Sequence, residues 1–180
     1  MGTITVVRRL AFWLAFLSAF VSVPCGARAE PVLRPSVAAA YVNAGGEHAG
    51  GGYATFTAGY NVELEPILVM PTVSTSLGGF GGGANGFGAR VLGGARVGAT
   101  LAVEPALILR GGYGHVTLTD GPGIGLNGGA VQIGAGLDYR SGRDLTFGGE
   151  LIYDAAIFRV AGSTEVVHSL LLGGSVAFWL

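Results

Sequence analysis

The sequence predicts an all-β protein: an eight-stranded antiparallel up-and-down transmembrane β-barrel, preceded by a cleavable signal peptide. Three observations carry this expectation. Half of the 180 residues are hydrophobic, yet beyond the amino-terminal segment no run approaches the roughly 18 apolar residues of a membrane helix. Glycine, at 34 residues, far exceeds its ordinary share and disfavours helix. The carboxyl-terminal stretch, Val166 to Leu180, alternates with a period of two and stays apolar to its last residue. An apolar chain without helices can cross lipid only as a closed β-structure, because lipid offers no partner to unpaired backbone groups.

The amino-terminal segment has the anatomy of an export signal. Met1 to Arg9 carries two arginines and no acid, Leu10 to Val23 is apolar apart from Ser18 and Ser22, and Ala27-Arg28-Ala29 gives a small-x-small cleavage pattern. The expected division is therefore a signal peptide over residues 1–29 and a single barrel domain over 30–180. Ala11 and Phe12 fit a twin-arginine motif poorly, and Val23-Pro24 before Cys25 stand where a lipoprotein needs small residues. Residues 30–180 contain no cysteine, which excludes a disulfide-stapled domain. The chain has no lysine, and from Glu30 onward seven arginines face eleven acids. That balance argues against nucleic acid as a partner.

Register comes from an internal repeat. The segment from Gly59 through Glu65-Pro66 recurs 39 residues later, from Gly98 through Glu104-Pro105, and a weaker copy begins at Gly134. Two membrane strands of about 10 residues with a turn and a loop occupy that spacing. Strands are expected near 34–43, 53–60, 63–75, 88–98, 101–114, 129–139, 145–156 and 166–180. Short turns fall near Tyr60–Val62, Ala99–Thr100 and Arg140–Asp144. Longer glycine-rich loops are expected at Ala44–Gly52, Ser76–Phe87, His115–Gly128 and Ile157–Glu165.

Each strand then has one uncharged apolar face and one face mixing charge with glycine or alanine. Ala89, Val91 and Val97 oppose Arg90 and Arg96; Leu101, Val103, Leu107 and Leu109 oppose Glu104 and Arg110. Val131, Ile133 and Leu137 oppose Asp138, while Leu145, Phe147, Leu151 and Tyr153 oppose Glu150 and Asp154. A soluble barrel would turn the apolar faces inward and leave its exterior about half glycine and alanine, without lysine to solvate it. The inverted arrangement explains the glycine. An eight-stranded lumen is only wide enough for side chains to fill, so long charged residues need small neighbours. Glu65, Arg90, Arg96, Glu104, Arg110, Asp138, Glu150 and Asp154 are the expected lumenal ion-pair network, structural in role. Tyr139, Tyr153, Phe178 and Trp179 are candidates for an aromatic girdle.

With these features the chain resembles the small eight-stranded outer-membrane barrels: the OmpA transmembrane domain, OmpX and the opacity proteins. The resemblance covers about residues 34–180 and implies a bacterial outer-membrane location. It further implies contact with outer-membrane lipid and lipopolysaccharide, and handling by the barrel-assembly machinery as a monomer. The last strand would carry the insertion signal through Val176, Phe178, Trp179 and Leu180, although Leu180 stands where an aromatic is commonest.

Activity is read less directly, because one fold hosts many functions. Some barrels of this type deacylate lipid A with a His-x-Ser pair, but His168 and Ser169 are adjacent and must point to opposite faces of a strand. His48 and His115 are expected in solvated loops, and no histidine pair has metal-ligand spacing. The glycine clusters Gly78–Gly88 and Gly121–Gly129 lack the strand–helix context and the lysine of a phosphate cradle, and read as surface loops. The expected function is a non-enzymatic envelope protein, structural or in surface contact, without cofactor, metal or catalytic residues. The rival is a small-solute channel, whose wild type would conduct. The packed lumen instead predicts no stable conductance from the wild type and a small one once Arg90, Arg96 and Glu104 are all changed to alanine.

Overall fold

A computed structural model describes residues 29–119, 124–160 and 162–180. The expected signal peptide lies outside the described residues, save for Ala29. Eight strands follow in order: β1 (Ala29–Ala44), β2 (Glu47–Leu64), β3 (Ile67–Gly82), β4 (Gly86–Ala99), β5 (Val103–Leu118), β6 (Ile124–Arg140), β7 (Leu145–Val160) and β8 (Ser163–Trp179). Each pairs antiparallel with its sequence neighbours, and β8 returns to β1 to close the barrel. Closure removes the unpaired edges that an open sheet would expose. We call the end holding both chain termini of the barrel the lower end and the opposite one the upper end.

The strands are longer and the upper loops shorter than the sequence suggested. The expected loop at 44–52 is a two-residue turn, Gly45–Gly46, with both glycines at positive φ (60° and 89°), as tight hairpins require. The expected loop at 76–87 shrinks to 83–85, and that at 157–165 to 161–162. Most glycines assigned to loops sit in strands, and those of inward parity give the lumen room. A Cβ on Gly78 would collide with the ring of Tyr53, and one on Gly86 would lie 2.6 Å from the Phe80 ring. The first lower turn also moves, from Tyr60–Val62 to residues 65–66.

Inside, side chains fill the barrel in tiers. At the upper end Val42, Phe80, Val116, Phe158 and Val167 are all buried. Below them Arg90 and Asp154 meet beside Tyr53, over a middle tier of Leu92, Ile108, Ile152 and Leu171. A second charged tier follows, closed beneath by Val32, Met70, Ala177 and Trp179. The outward face reverses this: Val37, Leu107, Ile133, Leu172 and their neighbours are exposed.

Candidate functional site

The charged interior is where the sequence placed its candidate site, and alternation along each strand brings most of it together. Arg90 on β4 reaches Asp154 on β7 at 2.5 Å, with the guanidinium 4.7 Å over the Tyr53 ring centre. Gln132 donates from Nε2 to the other oxygen of Asp154 at 3.0 Å. Lower down, Arg96 reaches Asp138 at 2.9 Å and Glu150 at 2.8 Å. Arg96 Nη2 is near enough to Asp138 for an ion pair but not aligned for a hydrogen bond.

Arg34 completes the lower tier and was not anticipated. Its guanidinium grips both oxygens of Asp138, at 2.9 and 2.8 Å, donates to Ser175 Oγ at 3.0 Å and lies 3.8 Å from Glu150. It belongs to the first strand, where Pro35 and the alanines that follow mask the alternation. The signal was its place two residues from Val32 and Ser36 on the inward parity.

The remaining candidates divide. Arg110 is 3% exposed and Glu104 8% exposed, but neither forms an ion pair with a described residue. Glu104 is the cross-strand neighbour of Asp138. Arg110 lines a void of only about 20 Å³ with Gln132 and Glu150, room for about one water. Glu65 is not in the lumen. It is exposed in the turn between β2 and β3, preceding Pro66 through a cis peptide bond. The repeat misled here: Glu104-Pro105 lies in β5, but the matching Glu65-Pro66 is spent on the turn.

With Arg34 included and Glu65 removed, the buried charges are Arg34, Arg90, Arg96 and Arg110 against Glu104, Asp138, Glu150 and Asp154. The interior is neutral by count. Neutrality suits a buried charge cluster, since each unpaired ion would cost several kcal/mol. Arg34, Arg90 and Arg96 add direct contact with Asp138, Glu150 and Asp154.

A further charged group caps the lower mouth. Arg140 lies 3.4 Å from Glu30 and 3.7 Å from Glu63, and stacks 4.1 Å over the Trp179 ring. Trp179 therefore points inward, donating from Nε1 to Thr146 at 2.8 Å, and does not join the girdle. Phe178 and Leu180 face outward and are exposed, with Val176 half-buried on the same face.

Two of the histidines are also displaced from expectation. His48 and His115 lie in β2 and β5 on the outer wall, not in loops, and His168 lies likewise on β8. His168 is exposed while Ser169 is 2% exposed, so the two face opposite sides. Among the described residues no cluster of three potential metal ligands exists.

No family model matches the chain, and no curated protein sequence does either. Solved structures do. The chain superposes on Neisserial surface protein A with a TM-score of 0.69 at 14% identity, covering 85% of this chain and 99% of that one. It also superposes on Ail, the attachment invasion locus protein of Yersinia pestis, solved with the heparin analogue sucrose octasulfate. That match has a TM-score of 0.53 at 16% identity, over 84% of this chain and 99% of the other. With its closed eight-stranded meander, inward charge and outward apolar wall, the chain has the fold of the small outer-membrane β-barrels.

Proposed function

We propose that this protein is a non-enzymatic, non-conducting barrel of the bacterial outer membrane that serves the envelope structurally. The observation that carries this reading is the filled, charge-neutral lumen set within an apolar wall. On β2 the outward residues between Tyr60 and His48 are Gly50, Gly52, Ala54, Phe56 and Ala58; on β6, between Tyr139 and Asn127, they are Gly129, Val131, Ile133, Ala135 and Leu137. On both strands, at about 3.3 Å per residue and a tilt near 40°, the two polar levels stand roughly 30 Å apart, close to the apolar band of outer-membrane barrels.

The upper connections are short, and β2 begins at Glu47, one residue before His48. Little of the chain would rise above the lipid headgroups, which favours a structural role over adhesion through loops. Phe178 and Leu180, outward on the closing strand, suit recognition by the barrel-assembly machinery, and nothing in the wall calls for more than a monomer with lipid and lipopolysaccharide around it. The test is fractionation with vesicle swelling. The expected results are recovery in the outer membrane, heat-modifiable migration in detergent gels, and no sugar-driven swelling of proteoliposomes. Swelling by the wild type would transfer the function to passive transport.

A further inference from the structure

Every acid on a described strand has inward parity, from Glu30 on β1 to Glu165 on β8, and the two other described acids, Glu65 and Asp144, lie in lower turns. The outer wall carries basic and hydrogen-bonding groups instead, gathered near the upper end. Their densest grouping spans four adjacent strands. Asn43 on β1 is the cross-strand partner of both His48 on β2 and His168 on β8. Tyr41 meets His48 Nδ1 at 2.8 Å with the rings stacked 5.6 Å apart. Tyr153 on β7 meets His168 Nδ1 at 2.5 Å with the rings stacked 5.9 Å apart.

These contacts fix which atoms stay available. Asn43 Nδ2 lies 3.3 Å from His48 Nδ1 and can only donate, so Nδ1 accepts and the proton of a neutral ring sits on Nε2. Among the described residues that N–H has no partner, and the pairing of His168 with Tyr153 permits the same. Polar groups facing hydrocarbon are costly; two tyrosine-braced imidazoles around an asparagine, with no described acid on their face, suit a phosphate.

We propose that Asn43, His48 and His168 form a binding site for the phosphorylated headgroup of an outer-leaflet lipid, with Tyr41 and Tyr153 orienting the two rings. The occupant is a lipid rather than free phosphate because the site stands on the apolar wall, one residue pair above Leu170 and Gly50 in the register. The proposal rests on the membrane reading above, and adds a specific lipid contact to it.

The test uses the full chain in nanodiscs, with lipid retention read by native mass spectrometry. Wild type should retain bisphosphorylated lipid A about tenfold over dephosphorylated lipid A, as charge-assisted hydrogen bonds imply. The triple variant Asn43→Leu, His48→Leu and His168→Leu should lose that preference while keeping heat-modifiable migration; should it fail to fold, His168→Leu alone decides. Millimolar inorganic phosphate should not displace the lipid. No preference in the wild type, an undiminished preference in the folded variant, or displacement by inorganic phosphate would each overturn the site. A non-conducting wild type without lipid preference removes this proposal alone, whereas a conducting one removes the structural function.

Discussion

Gly148 and Gly149 are neighbours on β7 that face opposite worlds. A Cβ on Gly148 would collide with Asp138 Oδ1 and lie 2.8 Å from Ser175 Oγ and 3.0 Å from an Arg34 nitrogen. A Cβ on Gly149 would meet nothing nearer than a backbone oxygen at 3.9 Å. The inner glycine makes room for an ion network whose geometry is tight. The outer glycine merely leaves a shallow place in a wall that lipid fills. One surface of this barrel is specified atom by atom, and the other, below its polar upper rim, only by being apolar.

The terminal strand gives the largest contrast between the faces. Deleting Phe178 to Leu180 removes the outward Phe178 and Leu180 together with the inward Trp179 that closes the lower mouth. Pulse-chase fractionation should show no assembled barrel, only degraded or aggregated chain. Normal assembly of the truncated protein would mean that neither face of this segment is needed.

Gly148→Val comes next. It should displace Asp138 from Arg34 and lower stability by about 3–5 kcal/mol, the usual cost of breaking a buried ion pair, measured by urea unfolding in lipid vesicles. Gly149→Val in the same assay should stay within about 0.5 kcal/mol. Equal losses at both positions would erase the distinction between the faces.

The upper charged tier sharpens the point with a smaller effect. Asp154→Ala leaves Arg90 buried without an acid and should cost about 3 kcal/mol. Replacing the pair together, Arg90→Leu with Asp154→Leu, should recover most of that loss, because two well-packed apolar residues need no partners. A double variant as unstable as the single one would show that Tyr53 and Gln132 depend on the pair for their own positions.

The same contrast explains what the sequence disclosed. Alternation is a one-strand property, so the inward placement of Arg90, Arg96, Arg110, Asp138, Glu150 and Asp154 could be read directly. Pairing between strands is not local: Arg34 joined the network through β6 and β7, 104 residues from Asp138. Glycine was the chief source of error. Gly78, Gly88 and Gly128 read as loop residues, yet each accommodates a lumenal Tyr or Phe from another strand. Two histidines were misplaced for the same reason, since shortening the upper loops drew His48 and His115 onto the wall.

The tiers also revise what would open the barrel. Clearing Arg90, Arg96 and Glu104 empties charged positions but leaves Phe80 and Phe158, 6% and 1% exposed, across the upper end. The triple alanine variant should therefore remain closed until Phe80→Ala and Phe158→Ala are added.

Single-channel recording in planar bilayers tests the closed, packed lumen most directly. No stable conductance is expected from the wild type or from the Arg90, Arg96 and Glu104 triple variant, and small, long-lived steps are expected only when both phenylalanines are also replaced. Stable steps from the wild type would contradict the account.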